Sequence, residues 1–431
     1  MKADKKKDAM PAASTSRGFH LLAKPIGPLC NLSCDYCFYT EKKALFPEKE
    51  AYRMSGRVLD AFVKKYIRSN AANMPEIPFA WQGGEPMLMG LDFFRKAVGL
   101  QKQYGRGKKI TNALQTNGVL LDDAWCDFLA ENHFLVGLSL DGPEDIHDRH
   151  RMDQQGRGSF SSVMKGMKLL KKHGVEYNVM ACVTKESAGR ALDVYHFFRE
   201  QGVEFIQFIP IVERIADEGA RSLGLRLALP PDWEAEHQAD VTPWTVESER
   251  YGDFLIGIFD EWVRNDVGRI FIMNFEWALM SWMGGDATVC QFSRRCGRSV
   301  VMEHNGDLYA CDHYVYPRYR LGNILSDEIP RMGDSPEQTA FGNQKETALP
   351  TCCGTCEYLF ACRGECPGHR FLRTPDGEPG LNYLCAGYKK YFSHIDGAMR
   401  IMKKLLETGL PASYVMDALR GPLAVTLRST S

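Results

Sequence analysis

The sequence has almost no net charge and no long hydrophobic run. Across 431 residues, 53 Lys and Arg stand against 54 Asp and Glu, a formal balance of -1. Bulk charge therefore draws the chain neither to nucleic acid nor to an anionic membrane surface. No stretch approaches the roughly 18 consecutive apolar residues of a membrane span. The opening MKADKKKDAMPAASTSRGF lacks the apolar core of a secretory leader, and residues 1–18 are expected to form a disordered tail. These absences favour a cytoplasmic protein that binds neither nucleic acid nor membrane. With 44% hydrophobic and 25% charged residues, the composition is that of an ordinary globular chain.

Cysteine is what the chain has in excess. Fourteen in a chain without a leader are expected to be metal ligands or catalytic groups rather than disulfides. Three lie at 30–37 and nine between 290 and 385; only Cys126 and Cys182 stand alone, and these read as small buried hydrophobes.

Between these groups the pattern alternates strand and helix. Strands are expected at 21–27, 77–81, 110–116, 134–140, 175–183 and 205–209. Helices fall at 54–70, 91–104, 122–131, 159–173 and 187–201, the last two closed by Gly174 and Gly202. Six such units predict an α/β fold with a parallel sheet and right-handed crossovers, too few for an eight-stranded barrel. An open or partial barrel fits better than a doubly wound sheet, and in either the chemistry belongs at the carboxyl ends of the strands. The motifs fall there: CNLSCDYC (30–37) after the first strand, QGGEP (82–86) after the second, TNG (116–118) after the third and DGP (141–143) after the fourth. Further helices are expected at 250–266, 274–283, 394–407 and 411–420. The expected division is a barrel over 19–249, a helical connector over 250–289, a cysteine-rich domain over 290–392 and a helical segment over 393–431. The cysteine-rich part shows few long apolar periods, so bound metal is expected to supply much of its folding energy.

Cys30-x3-Cys34-x2-Cys37 offers three thiolates where structural zinc needs four ligands. An iron–sulfur cluster with one open iron needs only three. The spacing, with GGEP after the second strand, resembles the radical S-adenosylmethionine (SAM) superfamily, whose fold is a partial (β/α)6 barrel. In that family SAM chelates the open iron and is cleaved to a 5′-deoxyadenosyl radical that abstracts hydrogen. The resemblance assigns Gly83, Gly84 and Glu85 to the SAM amino group, and Ser139 and Arg151 to its ribose and carboxylate ends. Arg suits a carboxylate because its planar fork donates two parallel hydrogen bonds. The two glycines are expected to let the backbone approach a ligand closely. By family position Tyr36 and Val212 are adenine contacts, and Tyr39 and Gln82 touch the adenosyl group or the substrate.

Downstream, Cys290-x5-Cys296-x14-Cys311 and Cys353-x2-Cys356-x5-Cys362-x3-Cys366-x18-Cys385 supply eight more thiolates, enough for two four-iron clusters or, alternatively, two zinc sites. This arrangement resembles the SPASM domain. The family's interleaved pairing places Cys290, Cys296, Cys311 and Cys366 on one auxiliary cluster, and Cys353, Cys356, Cys362 and Cys385 on the other; Cys352 is one more than the pattern needs. With the Cys30–Cys37 site this makes three [4Fe-4S] clusters.

HLLAKPIGPLCNLSCDYCFYTEKKALFP, WQGGEP, CDHYVYP and GDFLIGIFDEWVRNDVGRIFI together resemble the anaerobic sulfatase-maturating enzymes, over about residues 19–395. Members oxidise a Cys or Ser of a sulfatase to Cα-formylglycine. The resemblance implies an unfolded or nascent sulfatase polypeptide as partner, an electron donor such as flavodoxin or ferredoxin, and a monomer. It makes Asp312 the catalytic base, with a pKa expected to be raised by the neighbouring thiolate cluster and by burial. Two other readings stand beside this one. The first is a peptide-crosslinking SPASM maturase, disfavoured because only about 19 residues precede the first strand. The second is a non-catalytic iron–sulfur electron carrier, for which the SAM-site glycines and Arg151 would have no purpose.

Overall fold

A computed structural model describes residues 18–46, 52–70, 74–231 and 240–420. The expected tail, apart from Gly18, lies outside the described residues. Six parallel strands run in sequence order through the middle of one sheet: β1 (His20–Ala23), β2 (Glu76–Trp81), β3 (Lys109–Thr116), β4 (Phe134–Ser139), β5 (Tyr177–Val183) and β6 (Phe205–Pro210). The sheet is open, and helices cross over between its strands, giving the partial radical SAM barrel expected from the sequence.

The first crossover helix, Gly56–Ser69, shows why the pattern was readable. Ser55 caps it by accepting from the Val58 N–H, and Val58, Leu59, Phe62, Val63, Tyr66 and Ile67 are all buried, as their helical spacing predicts. The Tyr66 hydroxyl lies 2.8 Å from the Pro78 carbonyl, tying this helix to β2. Gly174 and Gly202 sit at φ +65° and +63° and close their helices as C′ residues.

Several boundaries differ. The helices expected at 187–201 and 411–420 each open with a 3-10 turn before Ala191–Glu200 and Val415–Arg420. Three other shifts have a clear physical reason. β1 ends at Ala23 rather than at residue 27, because Pro25 has no N–H to continue the ladder. β5 begins at Tyr177 because the Val175 N–H is used by the Leu170 carbonyl in the helix cap. The helix expected at 394–407 starts at Cys385, and Tyr388 on its added turns packs edge-on to Tyr251 at 5.7 Å.

The sheet also extends beyond six strands at both edges. β7 (Phe271–Ile272) pairs parallel with β6. At the other edge β8 (Ser299–Met302) pairs parallel with β1, and β9 (Asp307–Tyr309) and β10 (Arg320–Asn323) follow antiparallel. Val300, Met302, Leu308, Ile324, Ile329 and Met332 therefore join the main hydrophobic core. Part of the cysteine-rich segment is thus anchored in this core. Strands of two to four residues are too short to show a period. The pairing of β8 with β1 brings the chain after β9 to the carboxyl end of β1, where the cysteine loop begins.

Candidate active site

The loop bearing Cys30, Cys34 and Cys37 is held from three sides. The Ser33 and Asp35 N–H groups donate to the Met152 and His150 carbonyls at 2.7 and 3.2 Å. Asn117, from the TNG turn, donates to Asn31 at 2.8 Å and lies 3.8 Å from the Cys30 sulfur. The third hold is the QGGEP turn, where Gly84 and Glu85 donate backbone bonds to the Gly27 and Leu29 carbonyls, each at 2.8 Å. A β-carbon on Gly84 would lie 1.8 Å from the Leu29 oxygen, so the close approach this glycine permits is to the chain's own loop backbone. Glu85 is fully buried, and its carboxyl accepts from Met87 N–H, Thr116 hydroxyl and Asn117 N–H at 2.8–3.0 Å. Burial pushes its pKa up to about 7. Its side chain joins the ends of β2 and β3. Gln82, beside it, donates its N–H to Ala23 at 2.9 Å and stays partly exposed.

Burial pushes the Cys30 thiol up to about 12, with the charge of Glu85 adding to it, and raises Cys34 further against the pull of Arg151. Thiols whose charged form burial disfavours, as for Cys30 and Cys34, become thiolates together only when cations neutralise them. This donor set fits an iron–sulfur cluster.

Around the fourth strand end, Arg151 is buried and its fork is already occupied. Its Nε and Nη2 donate to the Asp141 carboxylate at 2.8 and 3.1 Å. Tyr36 donates to the same carboxylate at 2.5 Å, and the Cys182 N–H at 2.9 Å. Cys182 lies 3.6 Å from Arg151 and belongs to this polar network rather than to the plain apolar core. Cys126, by contrast, is a fully buried core residue, as expected. Ser139 accepts from Gln115 at 3.0 Å.

Asp312 follows β9 and meets Lys24, the residue after β1. The Lys24 ammonium contacts the Asp312 carboxylate and lies 3.3 Å above the Tyr39 ring centre. The Tyr39 hydroxyl bonds both oxygens of the fully buried Glu303, at 2.9 and 2.7 Å. Burial pushes the Asp312 pKa up, but the Lys24 ammonium, then the His313 ring, outweigh it and hold the group below its ordinary value. The expected upward shift overlooked this lysine. His313 stacks on Phe38 with ring centres 4.7 Å apart. Both line an open cleft with Lys42, Val212, Glu213 and Tyr316. Burial lowers Lys42 to about 8 and raises Glu213 to about 7, so this cleft wall is readily repolarised.

The downstream thiols fall into two electrostatic neighbourhoods. Burial raises the Cys290, Cys311 and Cys366 thiols; beyond that, Cys290 feels Cys296, Cys311 feels Cys290 and Cys296, and Cys366 feels Cys311, Cys290 and Cys296. Cys353 and Cys362 feel Cys385, and Cys385 feels Cys356 and Cys352, the last of these exposed. Among the described residues no three Cys, His, Asp or Glu side chains are gathered around a single point.

Four residues of this site escaped the sequence reading: Lys24, Asn117, Asp141 and Glu303. Asn117 and Asp141 lie in the TNG and DGP turns already noted. Lys24 was visible only as a charge closing an apolar strand.

Residues 25–198 match the radical SAM superfamily and residues 285–357 match SPASM, an iron–sulfur cluster-binding domain. Fold and site thus define a radical SAM enzyme carrying a SPASM domain. The chain is 47% identical to a serine-type anaerobic sulfatase-maturating enzyme of Bacteroides thetaiotaomicron, over 95% of this chain and 97% of that protein. It is 34% identical to a cysteine-type anaerobic sulfatase-maturating enzyme of Clostridium perfringens, over 87% and 95%. The chain belongs to the family of anaerobic sulfatase-maturating enzymes, protein-modifying oxidoreductases that convert a sulfatase Cys or Ser to Cα-formylglycine. A solved structure of anSMEcpe with bound AdoMet and Cp18Cys peptide superposes with a TM-score of 0.78 at 31% identity, covering 90% of this chain and all of that one. Streptococcus suis SuiB with its precursor peptide shares the fold, with a TM-score of 0.57 at 14% identity over 86% of this chain and 76% of that one. No described helix is long and apolar enough to cross a membrane.

Proposed function

We propose that the chain binds three [4Fe-4S] clusters and SAM, and that Asp312 is the base of formylglycine formation. Cys30, Cys34 and Cys37 hold the SAM-binding cluster. Cys290, Cys296, Cys311 and Cys366 hold one auxiliary cluster, and Cys353, Cys356, Cys362 and Cys385 the other, a division supported by the two thiol neighbourhoods. When bound, these groups would supply radical chemistry for hydrogen abstraction at the target Cβ and a sink for the departing electron. Gly83, Gly84, Glu85, Ser139 and Arg151, with Tyr36 and Val212, form the SAM side of the site. Tyr39 and Gln82 serve the adenosyl group or the target peptide.

The observation that carries the role of Asp312 is its exposure: the residue is enclosed by protein, yet 24% of its side-chain surface stays open. A carboxylate held ionised by Lys24 at such an opening accepts the target's O–H or S–H proton. Ionisation at neutral pH is what a base requires, and a hydroxyl on a radical carbon is a stronger acid than an ordinary alcohol. The cleft walled by Phe38, Val212 and His313, which follows Asp312 in the chain, is the candidate seat of the peptide. Relatives named serine-type are 37 to 47% identical and those named cysteine-type 30 to 34%, which favours a seryl target. The partner is an unfolded sulfatase polypeptide; the enzyme acts as a cytoplasmic monomer reduced by a flavodoxin or ferredoxin.

Anaerobic reconstitution with SAM, reductant and paired Ser- and Cys-type sulfatase peptides tests this reading by the mass change at the target residue. Asp312→Asn should keep iron and still cleave SAM while losing aldehyde about 10²- to 10⁴-fold. Undiminished aldehyde from that variant would remove Asp312 from its role.

A further inference from the structure

Lys24 occupies an unusual place for an ammonium. Its backbone N–H donates to the Met302 carbonyl at 2.8 Å, which pins it between β1 and β8. Its side chain is only 1% exposed. A charge so deep is stable only with partners. Those partners are the Asp312 carboxylate, the Tyr39 ring face at 3.3 Å and, more distantly, the Phe38 ring at 5.9 Å. Tyr39 cannot drift, because its hydroxyl is bonded to both oxygens of Glu303. Phe38 and Tyr39 directly follow Cys37. One buried ammonium therefore joins the cysteine loop to the acidic residue beside Cys311.

We propose that Lys24 is a positioning residue that holds the Asp312 carboxylate in register with the target side chain, so that each hydrogen abstraction ends in a proton transfer. The inference rests on the reading of Asp312 as the base. Lys24 itself touches neither the target nor the reacting atoms. It fixes one carboxylate oxygen toward the protein, which leaves the open part of the group for the target. A compact ammonium on a narrow stem fits between a ring face and a carboxylate, where a broader planar cation would sit differently.

A merely structural ion pair and a positioning residue differ in what their loss does. A weakened fold lowers SAM cleavage and aldehyde together. A misplaced base leaves SAM cleavage running and lowers the aldehyde made per 5′-deoxyadenosine. The test compares Lys24→Met, Lys24→Gln and Lys24→Arg in the reconstituted holoenzyme, reading bound iron, 5′-deoxyadenosine and formylglycine peptide from the same reaction.

Lys24→Met should retain iron and 5′-deoxyadenosine formation, with aldehyde per 5′-deoxyadenosine falling about tenfold or more. Lys24→Arg, which restores a cation, should recover part of that ratio. Lys24→Gln provides the same reading should the methionine variant fold poorly. In an Asp312→Asn background, Lys24→Met should lower the ratio no further, since both act through one group. An unchanged ratio in the neutral variants overturns the proposal, as does loss of iron in both of them, because Lys24 then serves the fold alone. If Asp312→Asn itself forms aldehyde normally, the reading of the base has failed. If Asp312→Asn is impaired while Lys24→Met stays coupled, only the role of Lys24 has failed.

Discussion

Replacing Gly84 by alanine probes the joint between the QGGEP turn and the cysteine loop. The added β-carbon would lie 1.8 Å from the Leu29 carbonyl oxygen and 2.4 Å from its carbon, both backbone atoms. No side-chain rotation relieves that contact, so the two segments must part. Parting stretches the Gly84-to-Gly27 and Glu85-to-Leu29 hydrogen bonds, each now 2.8 Å. With ~1 kcal/mol for each bond and ~1–3 kcal/mol for overpacking, the loss should be about 4 kcal/mol. Leu29 adjoins Cys30, so the displacement falls on the first metal-binding loop. Gly99→Ala is the matched control: nothing lies within 4 Å of its added β-carbon, and it sits exposed in the helix Leu91–Gly105. That change should stabilise by up to ~1 kcal/mol. Thermal unfolding and iron analysis after anaerobic reconstitution compare the two. Gly84→Ala should melt roughly 4 °C lower and lose the iron of the first loop, and with it SAM cleavage. Parent-like melting and iron content in Gly84→Ala would refute the view that these two backbones are locked together.

Two further perturbations address the network around Arg151. His147 is buried, accepts from the Asp141 N–H at Nδ1 and meets the Ser159 hydroxyl at Nε2, and burial lowers its pKa from 6.5 to about 4. Because the folded pKa is depressed, the stability it confers is complete above pH 6.5 and is lost as pH falls through 4, by about 3 kcal/mol. Urea midpoints across that window should therefore fall less steeply in His147→Gln, and equal slopes would mean the ring titrates normally. Asp141→Asn leaves the buried Arg151 without its anionic partner and should destabilise by about 3–5 kcal/mol, with weaker SAM binding at equilibrium. Unchanged stability would show that Arg151 finds another partner.

The helical face from Val58 to Ile67, the glycine caps at 174 and 202 and the six core strands were legible because each is a local signal. Side chains three or four residues apart share a helix face whatever surrounds them. The same holds for the turn bearing Gly83 and Gly84 and for the cysteine spacings. What the pattern missed was short or distant. β7 to β10 are strands of two to four residues, and their pairing with β6 and β1 leaves no trace in periodicity. The pKa of Asp312 was misjudged for a related reason: its neighbours in the chain are a cysteine and a histidine, and the cation that governs it comes from the other end of the sequence.

By itself, then, the sequence determined the kinds of donor, their spacing within each loop and their place at strand ends, since these depend on a few adjacent residues. Tertiary structure alone decided which charges meet: Arg151 with Asp141 and Tyr36, Lys24 with Asp312, and Tyr39 with Glu303. Those encounters follow from laying β8 beside β1 and β5 beside β4. Only that long-range pairing removes enough water for single buried charges to select their partners.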